Sequence, residues 1–125
     1  MPFAGSLGIR FTETGRDRVV GTMSWSRDKC TAGDILHGGA LMSLADSVGA
    51  LCAHLNLPPD ASTSTIESKT NFVRGVRAGQ VTATARPVHI GGRTIVVQTE
   101  ITDSAGKLVA LVIATQAVIA ARPAS

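Results

Sequence analysis

The 125-residue sequence predicts an α+β fold in which one long central helix is wrapped by a curved antiparallel sheet of five to six strands. Three observations lead there. A three-to-four-residue apolar period occupies one long stretch, 38–55. Two-residue alternation marks segments on both sides of it. Closely spaced turn signals cut the second half into hairpin-sized pieces, and short connections join antiparallel neighbours because parallel ones need long crossovers.

The elements follow in order. Val19, Gly21, Met23 and Trp25 alternate with Val20, Thr22, Ser24 and Ser26, so 19–26 is a strand, one of two expected before the helix. In 38–55 the residues Leu41, Leu44, Val48, Leu51 and Leu55 recur at helical spacing, and Pro58-Pro59 ends the helix. Asp46 stands almost alone as a charge on it, and an apolar helix in a soluble protein is normally enclosed, hence its central placement. Strands are then expected at about 63–74, 80–90, 93–102 and 107–119, separated by turns at 75–79, at Gly91-Gly92 and at 103–106. In the third of these, Ile95, Val97, Thr99 and Ile101 form the more apolar set. The order predicts a meander of four consecutive strands.

Composition narrows the function classes. The length suits one domain, 1–125, able to bury about two thirds of its unfolded surface. Twelve Lys plus Arg against nine Asp plus Glu give a net charge of +3, too dispersed for a nucleic-acid footprint, and three Phe and one Trp offer few rings for base stacking. The apolar run 108–121 contains Thr115 and Gln116 and falls short of the ~20 residues that cross a bilayer, so no membrane partner is expected. The opening MPFAGSLGIR lacks the basic and apolar regions of a secretory signal, so a cytoplasmic location is expected. Cys30 and Cys52 form no disulfide framework, and they and His37, His54 and His89 show no metal-ligand spacing. There is no internal repeat, and a short polar tail closes the chain at 122–125.

Chemistry concentrates at the start of the helix. The segment LHGG at 36–39 lies where loop becomes helix, and the first N–H groups of a helix have no internal partner and sit at its positive end, able to polarise a carbonyl or hold an anion. Gly38 and Gly39 admit close approach to that backbone, or simply permit a tight join. Asp46 is a poor helix former in the middle of an apolar helix, where an unpaired carboxylate costs several kcal/mol unless it is hydrogen-bonded, paired or wet, so it either serves chemistry or simply reaches solvent or partners an Arg. At 1.5 Å per residue, Gly38 and Asp46 lie roughly 12 Å apart on one helix. A donor and a base serving one reacting carbonyl must both come within about 3 Å of it, so one chain cannot aim both at one atom. If they share a reaction, they come from two subunits of a two-fold dimer with two equivalent sites.

The runs LHGGALMSLADSVGA at 36–50, STIESKTNFVRG at 64–75 and PVHIGGRTIVVQTEITDSAGKLVA at 87–110 resemble the hotdog-fold acyl-CoA thioesterases. The likeness covers nearly the whole chain and is nearest the phenylacetate-pathway (PaaI-like), 4-hydroxybenzoyl-CoA and 1,4-dihydroxy-2-naphthoyl-CoA thioesterases. Its most specific element is HGG with an acidic residue nine positions after the His, here His37 and Asp46. The resemblance implies a hotdog fold, a Gly38 amide that polarises the thioester carbonyl, an Asp46 of the opposite subunit that attacks it or activates water, and a His37 that orients the loop. It also implies a hydroxyl near the carboxylate from the next strand, Thr65 or, failing that, Ser64. Gly39 belongs to the substrate-binding turn.

Two positions depart from the family pattern. Thr31 stands where these enzymes usually carry Asn or Gln near the carbonyl or the water, and Ala50 stands where some carry Ser or Thr four residues after the carboxylate. Thr31 keeps one hydroxyl donor but no amide. His89 and Arg93 flank the Gly91-Gly92 turn and Arg74 and Arg77 flank Gly75, so these cations are candidates for the phosphates of coenzyme A or are solvated loop charges. Neither Cys has an identifiable base beside it.

The expected activity is hydrolysis of an acyl-CoA or aroyl-CoA to free acid and CoA, with no metal and no cofactor beyond the coenzyme A of the substrate. A homodimer or homotetramer is expected, and the mean hydropathy of +0.23 accords with subunit burial. The alternative is a non-catalytic acyl-CoA binding module on the same fold, which has no need of a carboxylate beside the thioester. A dehydratase would need a His beside the acyl chain, and neither His54 nor His89 carries that signature.

Overall fold

The computed structural model describes residues 1–121; the polar tail read at 122–125 lies outside them. In chain order the elements are α1 (Pro2–Ser6), β1 (Arg10–Thr14), β2 (Val19–Ser24), two single-turn 3-10 helices (Arg27–Lys29 and Ala32–Asp34), α2 (Gly38–His54), β3 (Ser62–Phe72), β4 (Gln80–Ile90), β5 (Thr94–Thr102) and β6 (Leu108–Ile119). The strands form one antiparallel sheet of six in the order β1-β2-β4-β5-β6-β3. The helix lies on one face of it.

Alternation decides which face each strand turns to the helix. Val19 and Met23 on β2, Val81, Ala83 and Ala85 on β4, Ile95, Val97 and Ile101 on β5 and Ala110 and Val112 on β6 are all buried, and they meet Leu41, Leu44, Val48 and Cys52 of α2 in one core. Helix and sheet approach closely at Gly21, where an added Cβ would lie 2.6 Å from Val48 Cγ2. At about 25 cal/mol per Å² of apolar surface, this burial is the main force holding helix to sheet.

Two expectations are corrected. The four strands after the helix do not form a simple meander, because β4, β5 and β6 are consecutive neighbours while β3 pairs with β6 at the far edge. The segment 73–79 is a crossover rather than a hairpin turn: Val73 and Arg74 N–H both reach Val109 O, Val76 is buried, and its carbonyl accepts from Leu36 N–H at 2.9 Å. An apolar anchor in the middle of an apparent turn sends the chain across the end of the sheet. The helix is enclosed on one side only, because the sheet covers one of its faces. Met42, Asp46 and His54 stay exposed on the other.

Candidate functional site

The first turn of α2 commits its amides in a specific way. His37 is the N-cap residue, and its Nδ1 accepts from Gly39 N–H at 2.8 Å. His37 N–H donates to Lys29 O, Leu36 N–H to Val76 O, and the N–H groups of Ala40 and Leu41 both reach His37 O. Gly38 N–H alone in this run has no partner among the described residues. The glycine pair follows from the same geometry. A Cβ on Gly39 would lie 2.9 Å from His37 Nδ1, destroying the cap, and one on Gly38 would lie 3.0 Å from Phe72 Cζ. Gly38, Leu41, Phe72 and Arg74 line a cavity of about 440 Å³, so the free donor at the positive end of the helix borders a space with an apolar wall and one cation.

The carboxylate sits two turns further along. Ser43 and Ser47 return their hydroxyls to the helix backbone, donating to Gly39 O and Ser43 O at 2.8 Å each. Asp46 instead reaches across to the sheet, where Thr65 Oγ1 donates to its Oδ1 at 3.2 Å. A bulge at Ile66 separates Thr65, paired with Gln116, from Glu67, paired with Thr115. It keeps Thr63 and Thr65 on the helix side while turning Glu67 outward to Thr115 Oγ1, 2.9 Å away. Ser64 pairs with Ala117 on the opposite face.

This arrangement gives a free amide and a hydroxyl-bound carboxylate on the open side of one helix. Residues 33–110 match the thioesterase superfamily model. The chain belongs to the thioesterase superfamily. It is 39% identical over 105 residues to the 1,4-dihydroxy-2-naphthoyl-CoA hydrolase of Escherichia coli, covering 83% of this chain and 76% of that protein. Among solved structures, a thioesterase from Haemophilus influenzae superposes with a TM-score of 0.90 at 30% identity, covering 94% of this chain and 82% of the other. The PaaI protein of the phenylacetic acid degradation operon of Escherichia coli does so with a TM-score of 0.90 at 29% identity, covering 97% and 86%. The fold is the hotdog fold of these thioesterases.

Within this superfamily member the candidate cations fall into two groups. Arg74 lies with Gly38 at the start of the helix. His89 and Arg93 lie at the other end of the sheet: Arg93 O accepts from Val118 N–H at 2.8 Å, and Val118 pairs with Thr63, two residues from Thr65. Gly91 and Gly92 there line a cavity of about 490 Å³ with Pro58 and Pro59. His89 packs its ring against Gly91, where a Cβ would lie 2.7 Å from Nε2. Ala50 is one turn beyond Asp46 and half-buried, with no polar group to add. Thr31 is exposed, and its N–H is bound to Ile35 O at 2.8 Å.

Neither thiol is poised as a nucleophile. Burial pushes Cys52 up to about 11, and Cys30 is pushed up by desolvation and then by the carboxylates of Asp34 and Asp28. Among the described residues no group of three or more His, Cys, Asp or Glu could hold a metal ion, and no helix is long and apolar enough to cross a membrane. Sequence reasoning missed two neighbours of the site. Phe72 roofs Gly38, and Gln116 lies beneath Thr65 at 3.1 Å. The signal for Gln116 is an amide which, with Thr115, interrupts an otherwise apolar strand.

Proposed function

We propose that the protein hydrolyses an acyl-CoA or aroyl-CoA thioester to the free acid and coenzyme A, with each site built from Gly38 of one subunit and Asp46 of another. The observation that carries this reading is the unpaired Gly38 N–H, the one amide free at the positive end of an otherwise committed helix start. A thioester carbonyl placed there gains a donor aimed at the charge that develops on its oxygen. Asp46 then either attacks the carbonyl carbon or takes the proton of an attacking water. With water as the nucleophile, a C–O bond forms to water, the C–S bond breaks, and the proton that Asp46 takes up goes to the leaving thiolate. With Asp46 as the nucleophile, the C–S bond breaks as an acyl–Asp46 anhydride forms, and water then cleaves that anhydride, releasing the acid, restoring the carboxylate and supplying the thiol proton.

The pairing of subunits rests on distance and on an open edge. Gly38 and Asp46 are eight residues apart on one continuous helix, roughly 12 Å. Among the described residues the 11-residue β3 ends the sheet with one side unpaired, and Ile66 and Phe72 on it are 58% and 52% exposed. Such an edge is a template for a second strand. Two-fold pairing of β3 with its copy would extend the sheet and bring two open helix faces together, as a dimer or within a tetramer. Each site would then gather Arg74 from the subunit supplying Gly38, and His89 and Arg93 from the one supplying Asp46, as cations for coenzyme phosphates.

The test is thiol release from a panel of aromatic and short to long aliphatic acyl-CoAs by wild type and Asp46→Asn. Turnover that falls by on the order of 10² or more in the variant, with folding intact, supports the reading. Activity within about threefold of wild type removes Asp46 from the chemistry. Binding of acyl-CoA with no turnover on any member makes the protein a binding module.

A further inference from the structure

Gln116 is 1% exposed, and it stands on β6 opposite Thr65, beyond the residues that match the superfamily model. Its Oε1 lies 3.1 Å from Thr65 Oγ1 and 3.4 Å from Thr63 Oγ1, and its Nε2 has no partner among the described residues. Thr65 owns one hydroxyl proton yet has two acceptors within reach, Gln116 Oε1 and Asp46 Oδ1. In that orientation two N–H donors are buried unpaired and Asp46 competes for a proton. A half-turn about the last side-chain torsion exchanges oxygen and nitrogen in nearly the same space. The two N–H groups then face Oγ1 of Thr65 and Oγ1 of Thr63, and the Thr65 proton has Asp46 as its one acceptor; the carbonyl oxygen is left without a donor and the Thr63 hydroxyl proton gives up Oε1 as its acceptor. These are the smaller losses, since Thr63 is only part-buried while two buried N–H donors gain partners.

We propose that Gln116 is a positioning residue of the hydrolytic site: its buried amide donates to Thr65 Oγ1 and thereby commits the Thr65 hydroxyl proton to Asp46 Oδ1. Held by that bond, Asp46 presents Oδ2 to substrate or water in one fixed direction. The inference rests on the proposed role of Asp46. It also explains why a strand whose other helix-facing residues include Ala110, Val112 and Ala114 carries a carboxamide, which an apolar residue of similar length would otherwise replace with less desolvation.

Two measurements on the full chain test it. In the nitrogen-15 spectrum, the Gln116 side-chain amide signals, assigned by their loss in Gln116→Met, should be protected from exchange and should move in Thr65→Val. Signals that exchange freely and ignore Thr65→Val overturn the proposal. In steady-state hydrolysis, Gln116→Met should lower kcat about tenfold with KM within about twofold, and should cost less than about twofold in a Thr65→Val background. An equal loss in both backgrounds assigns Gln116 to packing alone. Should Gln116→Met fail to fold, the amide signals of wild type and Thr65→Val decide, assigned then from Gln116→Glu or by sequential correlation. The two readings fail separately: an active Asp46→Asn removes the proposed carboxylate chemistry whatever the amide signals do, whereas an inactive Asp46→Asn with unresponsive amide signals removes Gln116 alone.

Discussion

The start and the middle of α2 are built for opposite charges. At the start, every amide but one is tied down by His37, Lys29 or Val76, and the free Gly38 N–H sits at the positive end of the helix beside Arg74 and the Phe72 ring. In the middle, the serines bond to their own backbone and Asp46 reaches to Thr65, which rests on Gln116. One region offers an unpaired donor and the other a carboxylate. Neither region contains what the other offers, and a rigid helix keeps them roughly 12 Å apart in one chain. If both serve one reaction, as proposed, the catalytic unit is larger than one chain.

The comparison breaks most visibly by complementation. Gly38→Pro removes the free N–H at a first-turn position that tolerates proline, and Gly38→Ala, which keeps the N–H but meets the same Phe72 ring atom, is its steric control. Gly38→Pro and Asp46→Asn proteins should each lose on the order of 10² in kcat. Mixed equally and allowed to exchange, they should recover about a quarter of wild-type activity, since half the dimers are mixed and each holds one intact site. Exchange without recovery places the reaction within one chain.

Smaller effects sharpen each region. His37→Ala should lose about 1 kcal/mol of stability through the missing cap, read as a lower melting temperature, while His37→Asn should keep most of it. An equal loss in both would show that the ring packs rather than caps. Away from the open face, the Cys52 thiol, raised from 9.0 to about 11, stays protonated in the folded chain at pH values where the unfolded chain has lost that proton. Stability should therefore fall as pH rises from about 9 to 11, by about 2 kcal/mol in denaturant titrations, and Cys52→Ala should flatten that slope. A slope unchanged by the substitution would assign it to other groups.

Periodic elements were legible in the sequence because their cause is local. The helix expected at 38–55 is α2 at Gly38–His54, and the strand at 93–102 is β5 at Thr94–Thr102, with Ile95, Val97 and Ile101 buried as the alternation requires. The place of β3 was not legible. Its neighbour is fixed by Val76 and Val109, contacts between residues distant in sequence, and the glycines of 75–79 mimic a hairpin. Of the site, the Gly38 and Asp46 positions emerged from helix physics and resemblance. The reach of Thr65 to Asp46 depends on the Ile66 bulge, and the place of Gln116 beneath it on the pairing of β3 with β6; both are tertiary facts. Local periodicity is silent on the short α1 as well, whose Ala4 is buried in the core and whose Phe3 lines a cavity of about 220 Å³ with His37 and Gly39.

The contact between Gly21 and Val48 sets a tolerance for the position of Asp46. With no side chain at Gly21, the valine descends to where a methyl group would lie 2.6 Å away, and Asp46, two residues earlier on the same rigid rod, rides at whatever height that seat allows. Its bond to Thr65 is already 3.2 Å long, near the far limit for hydroxyl donors. A side chain at Gly21 is therefore expected to lift the rod and open that bond, so a hydrogen atom on a distant strand acts as a shim for the height at which Asp46 meets Thr65.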